Sequence, residues 1–553
     1  MLAVDGPMLV SMRTWDGVRL DADLYRPEGE GPFPVLLVRQ AYGRRVAVTI
    51  CYAHPAWYAA QGYIVVVQDI RGRGTSEGVM KAFENEISDG ADAVDWAASL
   101  PGSNGRVGMY GFSYQGTDQL LAAVEAGPGL RALAPAMFGW DLREGWAYEG
   151  GAFRLASSLG WGAQIGADTA RHEGDAAAHA ALYQAARTLP LQQPIQARPE
   201  VMEQFGHHTH YGDWLDRPAD DPYWARISPA THAERLIARR LPMLFVGGWY
   251  DGLLNGTLAG YHALAQGDAA TRLVVGPWLH FPWNRRQGQL DFGPDAASAI
   301  DRLQVRWFDH WLKDHDTGLM AEPPVSLFDM GANTWRDFEA WPAPERSFWL
   351  SGSGCVSVVP DEGVLLADEP GADGIDRLVH DPWRPAPSVG GPFGTPAGPV
   401  DRASVDARTD VLTFTTAPLQ QELAIAGGVR ITLHVESDAP DFDVCCTLSR
   451  VTAGGQVFPL CEAYRRIDAH DAARAIVLEP PGTCMTIKPD ERLRLSIAGA
   501  SYPAYCVNPG TGADPTTTPI MLAQVITLGI RHGASFPSSL AFGMIETIRS
   551  NRS

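Results

Sequence analysis

With 553 residues, 45% hydrophobic and 20% charged, the chain has the make-up of a folded protein of about three domains, not of a disordered one. Its formal net charge of −20, with no run of Lys or Arg, excludes a nucleic-acid partner, which needs a clustered cationic surface. Nowhere do ~18 uncharged apolar residues follow one another, so neither a membrane span nor a membrane partner is expected.

In chain order, residues 10–14 and 18–25 read as strands flanking Asp16 and Gly17, a hairpin turn signal. Nearly continuous apolar runs at 34–39 and 63–69 suit strands buried on both faces of a parallel sheet. Between 88 and 100, Ala91, Val94, Ala97 and Ala98 fall at helical spacing, with Ser88 or Asp89 available as a cap. Residues 107–110 form a further strand leading into Gly111, and the alternation predicts a doubly wound α/β domain. From about 140 to 240 the pattern turns helical without strand periodicity, which predicts an insertion in the position of a lid. The α/β pattern resumes with a strand at 242–247, a helix at 257–265, a strand at 272–276 and a helix at 300–313.

After Pro323, short alternating runs such as 429–436, 444–451 and 492–497 are separated by Gly, Pro and Asp turns. They predict a β-sandwich or jelly roll. The Pro- and Gly-rich stretch 382–399 is expected to wrap the surface. The domains expected are residues 1–140 and 241–320 for the α/β unit, 141–240 for the lid and 321–553 for the β-sandwich. The opening residues carry Asp5 early and do not read as a signal peptide. Seven scattered cysteines, with Cys445 and Cys446 adjacent and no C-x-x-C pair, suit neither a disulfide framework nor a zinc site. A reduced cytoplasm is the simplest location.

Gly111, Phe112, Ser113, Tyr114, Gln115 and Gly116 follow a predicted strand and precede a helix, the context of a nucleophile elbow. The serine of such an elbow needs small neighbours so that strand and helix can approach. Gly111 meets that need, but Gln115 stands where the general G-x-S-x-G pattern has its second glycine. Taken alone the motif is weak, since a serine between glycines is commonly just a turn. Two further strand ends carry an acid, Asp251, and a histidine, His280. Alone, one reads as a turn or cap aspartate and the other as a loop histidine. Strand ends at the carboxyl edge of a parallel sheet are where sites assemble, and the order Ser, acid, His is that of α/β-hydrolases. The constellation favours a catalytic triad of Ser113, Asp251 and His280.

These motifs resemble those of the cocaine esterase / X-Pro dipeptidyl-peptidase (CocE/NonD) family of serine hydrolases. Its elbow, G-x-S-Y-x-G, matches Gly111, Ser113, Tyr114 and Gly116, which makes the displaced glycine regular. Its W-x-D-G matches Trp249, Asp251 and Gly252, and its G-P-W-x-H matches Gly276 through His280. Its D-x-R-G-x-G-x-S-x-G run matches Asp69 through Gly78. The opening hairpin matches at Asp16, Gly17 and Val18 with Leu24 to Pro27; Asn333 to Arg336 and Asn508 to Gly512 resemble landmarks of its jelly roll. The resemblance implies an α/β-hydrolase domain with a helical lid insertion, followed by a C-terminal β-sandwich, a jelly roll. It also implies an oxyanion hole made by the phenol of Tyr42 and the backbone N–H of Tyr114.

No cofactor is expected. Gly72, Gly74 and Gly78 lack the spacing of a nucleotide loop, and the arginines among them are expected to pair with carboxylates. His207, His208 and His210 cluster, but no carboxylate or cysteine partner is indicated, so no metal is expected. His310, between Trp307 and Trp311, reads as part of a packing helix.

Trp140, Trp146, Tyr148, Trp161, Trp249 and Trp278 lie in or near segments expected to face the site. Most are assigned to core packing, and only Trp249 and Trp278 are taken as substrate-binding neighbours. Family members acting on α-amino acid esters hold the ammonium with carboxylates just after the triad acid. Here those places hold Gly252, Leu253 and Leu254, which implies a neutral or aromatic acyl ester as the small-molecule partner. An amidase, peptidase or acyltransferase with the same triad is the alternative, and a non-catalytic ligand-binding protein is an alternative of another class. A homodimer is compatible with the sequence.

Overall fold

The structure, a computed structural model, describes residues 1–46, 49–468 and 475–545. Among them a ten-stranded sheet runs in the spatial order Val4–Arg13, Arg19–Pro27, Ile64–Asp69, Phe33–Gln40, Ser103–Phe112, Leu130–Ala136, Met243–Tyr250, Thr271–Leu279, Val325–Asp329 and Thr334–Phe338. From Ile64–Asp69 to Val325–Asp329 the strands are parallel, and the antiparallel strands lie only at the two ends. Every residue of Ile64–Asp69 and of Met243–Tyr250 is buried, because helices cover both faces; this is why these strands read as continuous apolar runs. Helices Glu86–Ala98, Tyr114–Ala123, Leu254–Leu264 and Ile300–Lys313 make the crossovers.

Between Leu130–Ala136 and Met243–Tyr250 the chain leaves the sheet to form the helical insertion, whose longest helix is Leu155–Glu173. Two two-residue strands, Tyr148–Glu149 and Ala152–Phe153, open it; they are too short to show any periodicity. The insertion shares one apolar cluster with the domain beneath it, Leu159, Trp214 and Tyr223 packing with Phe83 and Tyr114. The lid is therefore anchored to the floor of the site by burial rather than resting on it.

The C-terminal part is β-rich and antiparallel for the most part, centred on the fifteen-residue strand Leu423–Ser437. That strand pairs with Thr483–Ile487 and Ile476–Leu478 along one edge, and with Ser539–Met544 and Ile526–His532 along the other. Changing partners along its length lets one strand serve both layers of a sandwich.

Two expectations from the sequence need correction. The α/β unit does not stop at residue 320: Val325–Asp329 extends the parallel sheet and Thr334–Phe338 closes its edge. Asn333 to Arg336, taken as a jelly-roll landmark, accordingly lies at this sheet edge. This short, largely half-buried edge strand carries no pattern that assigns it to one sheet or the other; only its pairing partner does. No helix among the described residues is long and apolar enough to cross a membrane.

The glycine-rich loop after Ile64–Asp69 is a bracket of buried charge. The carboxylate of Asp69 accepts the Arg44 backbone N–H at 2.5 Å, the Thr75 N–H at 3.2 Å, and the Arg44 guanidinium. Arg71 pairs with Asp16 and Asp89, both at 2.7 Å, and Arg73 with Asp168 at 3.3 Å. Gly74 has φ +56°, and a Cβ there would fall 1.7 Å from Asp69 Oδ2. Gly74→Ala is expected to displace the buried carboxylate and destabilise the protein by about 2 kcal/mol or more. A melting curve checks this: a midpoint within about 1 °C of the parent protein would contradict the bracket.

Candidate active site

Three strands of the parallel run end at one point of the sheet edge. Ser103–Phe112 is followed by Ser113, Met243–Tyr250 by Asp251 and Thr271–Leu279 by His280. Each of the three is the first residue beyond its strand, so its side chain leaves the edge instead of entering the helical layers.

Ser113 adopts φ 63° and ψ −125°, a conformation that costs a non-glycine residue about 1–3 kcal/mol. Its N–H is pinned by the carbonyls of Ala136 at 2.9 Å and Met137 at 3.1 Å. A Cβ on Gly111 would lie 2.5 Å from Gln115 Cβ, and one on Gly116 would lie 2.7 Å from Ala136 O. Gly116 is thus where the helix Tyr114–Ala123 touches the neighbouring strand, which explains the displaced glycine. Gln115 needs no such exemption, since its amide turns away to Gln40 Oε1 at 2.9 Å.

Asp251 is 2% exposed, and its Oδ1 lies 2.7 Å from Nδ1 of His280. Its Oδ2 is buried without a hydrogen-bond partner among the described residues, so the imidazole is the main partner of this carboxylate. The Trp283 indole N–H donates to the His280 carbonyl at 3.0 Å, and the His280 ring leans on Phe112 at 5.4 Å between centroids. With Nδ1 engaged by Asp251, Nε2 is the ring atom left for other partners.

Ser113, Asp251 and His280 line a single cavity of about 270 Å³, together with Tyr42 and Tyr114. The Trp161 indole N–H donates to the Tyr42 hydroxyl at 3.1 Å. Desolvation raises the Tyr42 phenol above its ordinary value, against its hydrogen bonds with Trp161 and Ser113, so the phenol keeps its proton. Tyr114 begins a helix, and its backbone N–H therefore has no intrahelical acceptor. Its phenol donates to Glu86 Oε1 at 2.8 Å and accepts the Phe83 N–H at 2.9 Å.

Trp249 and Trp278 do not line the cavity. Both are buried within their strands: the Trp249 indole donates to Phe328 O at 2.9 Å, and that of Trp278 to Ala296 O at 2.8 Å. Sequence adjacency to Asp251 and His280 misled, because residues still inside a strand point to the sheet faces and not to its edge. The aromatic wall is built instead by Phe83, Trp146, Trp161 and Phe393. Trp146 and Trp161 belong to segments expected to face the site but were assigned to packing; Phe83 and Phe393 carried no sequence signal. Phe393 sits on the Pro- and Gly-rich stretch, and it closes so tightly that a Cβ on Gly252 would stand 2.5 Å from its ring.

Among the described residues one charged side chain besides Asp251 and His280 reaches the lining. Arg154, 1% exposed, donates to Gly252 O at 3.0 Å, to Gly145 O at 2.8 Å and to Glu149, and lies 4.5 Å from the Phe393 ring centroid. The histidine cluster lies apart. His208 meets Glu173 at 2.8 Å and Asp175 at 3.5 Å, carboxylate partners the sequence had not indicated. Among the described residues no group of three or more His, Cys, Asp or Glu converges as a metal site.

Residues 16–282 match the X-Pro dipeptidyl-peptidase (S15 family), and residues 317–540 match the X-Pro dipeptidyl-peptidase C-terminal non-catalytic domain. The chain is 31% identical to the cocaine esterase of Rhodococcus sp. (strain MB1 Bresler), with 98% of this chain and 99% of the relative aligned. The chain belongs to the cocaine esterase / X-Pro dipeptidyl-peptidase family. It is therefore a serine hydrolase. Two solved structures share the whole fold at 23% identity: an α-amino acid ester hydrolase, with TM-score 0.77 over 98% of this chain and 97% of that one, and an aminopeptidase from a marine sediment Thaumarchaeota archaeon, with TM-score 0.79 over 97% and 96%.

The placement of Trp249 has a direct test. Trp249→Phe removes one buried hydrogen bond and is expected to cost about 1–3 kcal/mol of stability while leaving kcat/KM within about twofold. A KM increase without loss of stability would return this residue to the substrate pocket.

Proposed function

We propose that the protein is a serine esterase that cleaves small esters of neutral or aromatic acids through an acyl-enzyme. The observation that carries this reading is the 2.7 Å Asp251–His280 pair opening onto the same cavity as Ser113. Ser113 Oγ attacks the acyl carbonyl, and His280 Nε2 takes its proton, then returns it to the leaving alcohol. Asp251 holds the tautomer that places the proton on Nδ1 and stabilises the imidazolium formed during attack. The carbonyl oxygen, as it becomes an oxyanion, meets the Tyr42 phenol and the Tyr114 N–H, each worth about 3–4 kcal/mol of barrier in comparable sites. Water attacking through His280 releases the acid and restores the serine.

The lining supports the acyl preference. Among the described residues Asp251 is the sole carboxylate of the lining, and its charge is already engaged by His280. Gly252 and Leu253 follow it along the wall, and Arg154 presents a cation nearby. A substrate ammonium would lose its hydration with no carboxylate to replace it, a costly burial. The aromatic walls instead offer edges and faces to a flat acyl group. A dipeptidyl-peptidase activity needs a free amino terminus and meets the same obstacle. The cocaine esterase relative is named for an ester, in keeping with this choice.

Two measurements test the proposal together. An aromatic ester should be turned over with kcat/KM at least about tenfold above its α-amino counterpart. Faster cleavage of the amino ester would reverse the assignment of the pocket. A fluorophosphonate should label Ser113 stoichiometrically, and Ser113→Ala should abolish labelling and lower kcat by roughly 10³-fold or more. A folded sample that resists the reagent would mean that the cavity binds without catalysing.

A further inference from the structure

Tyr42 and Trp161 reach the cavity from different parts of the chain, and the bond between them has a fixed direction. An indole nitrogen only donates, so the Tyr42 oxygen is the acceptor of the 3.1 Å contact and its own proton is free to be used elsewhere. The phenol proton prefers the ring plane, where it has two alternative positions. A donor that occupies one side of the oxygen drives the proton to the other. Donation into the oxygen also polarises the O–H, strengthening it as a donor by some 10–30% in condensed-phase chains.

Trp161 is held firmly enough to do this. It sits on the helix Leu155–Glu173 of the insertion, stacked on Trp214 at 5.3 Å with an interplanar angle of 25°. Trp146 meets it edge-on at 5.3 Å, and Phe83 stacks at 6.1 Å. Trp214 is itself fixed by its indole bond to the Tyr223 hydroxyl at 3.2 Å. Trp161 also lines the cavity, so an acyl group seated there rests on the ring that aims the donor.

We propose that Trp161 is a positioning residue of the oxyanion hole: its indole N–H orients and polarises the Tyr42 phenol toward the developing oxyanion. The inference rests on the assignment of Tyr42 as an oxyanion donor made above. It gives the helical insertion a part in the chemistry, beyond enclosing the substrate.

A double-mutant cycle on an aromatic ester tests it. Tyr42→Phe alone should lower kcat by about 10²–10³-fold. Trp161→Phe keeps an aromatic ring in the wall but loses the N–H together with the pyrrole half of the indole; it should lower kcat about tenfold with KM changed by less than about twofold. In the Tyr42→Phe background the same substitution should change kcat by less than about twofold, because the residue it serves is gone. An equal loss in both backgrounds, or a rise in KM alone, would make Trp161 a wall and overturn the inference while leaving the esterase reading intact. An unchanged kcat in Tyr42→Phe would overturn both Tyr42 as donor and Trp161 as its support. Stoichiometric fluorophosphonate labelling of each variant establishes that it is folded. The carbonyl stretch of a slowly deacylating acyl-enzyme supplies a second readout. It should move to higher frequency in Trp161→Phe, and an unmoved band would count against the inference.

Discussion

A serine backbone held at φ 63° is sustained by close packing beneath it, and that packing sets the spacing of the whole site. Phe138, just beyond the strand Leu130–Ala136, lies between the helix that follows Ser113 and the helix that follows Asp251. A Cβ on Gly116 would come within 2.8 Å of Phe138 Cβ, one on Gly256 within 2.4 Å of its carbonyl, and one on Gly260 within 2.9 Å of its ring. Both helices therefore close onto the same residue through glycine. Any larger side chain there would push one strand end away from the other. The distance between the proposed nucleophile and the proposed acid is thus set by packing as well as by polar contacts.

Much of this was legible in the sequence because the signals are local. A strand run, a glycine and a serine in sequence define an elbow wherever the rest of the chain goes, and the same holds for an acid or a histidine one residue past a strand. The order of the three along the chain then selects the fold class. What was not legible depends on partners distant in sequence. Trp249 and Asp251 are two residues apart, yet one is inside the strand and the other beyond it, and only the end of the hydrogen-bond ladder distinguishes them. Phe393 reaches the cavity because its stretch crosses over Gly252, a contact spanning the two domains. The strand Thr334–Phe338 is only five residues long and lacks a clean alternation, so composition could not say to which sheet it belongs.

The bracket around Asp69 shows how a glycine-rich loop can serve a site without binding anything. Arg44 gives Asp69 both its backbone N–H and its guanidinium, and Arg44 Nε also meets Asp23 at 2.8 Å. These bonds immobilise the segment two residues after Tyr42, while Trp161 meets the Tyr42 hydroxyl from above. Burial raises the Asp69 carboxyl, and the bonds from Arg44 and Thr75 oppose it. Gly74 is required by how closely the backbone wraps this carboxylate, and Gly72 by the approach of the Val79–Met80 backbone.

The formal charge of −20 does not reach the cavity as a field of one sign. Arg154, which lines the cavity, pairs with Glu149 behind the wall, and the pair is shared among three parts of the chain. Arg154 donates to Gly252 O beside the proposed acid, Asn255 donates to Glu149 at 2.9 Å, and Tyr505 of the sandwich donates to Glu149 at 2.8 Å. Breaking such a pair from one side costs about 3–5 kcal/mol, because the remaining charge is left buried. Lid, acid loop and sandwich are thereby held in one arrangement, with the Phe393 ring laid against the guanidinium. A wall assembled in this way is neutral in sum and rigid in shape. Both properties favour a flat uncharged acyl group and penalise a free ammonium, so the selectivity proposed for the pocket follows from the same contacts that close it.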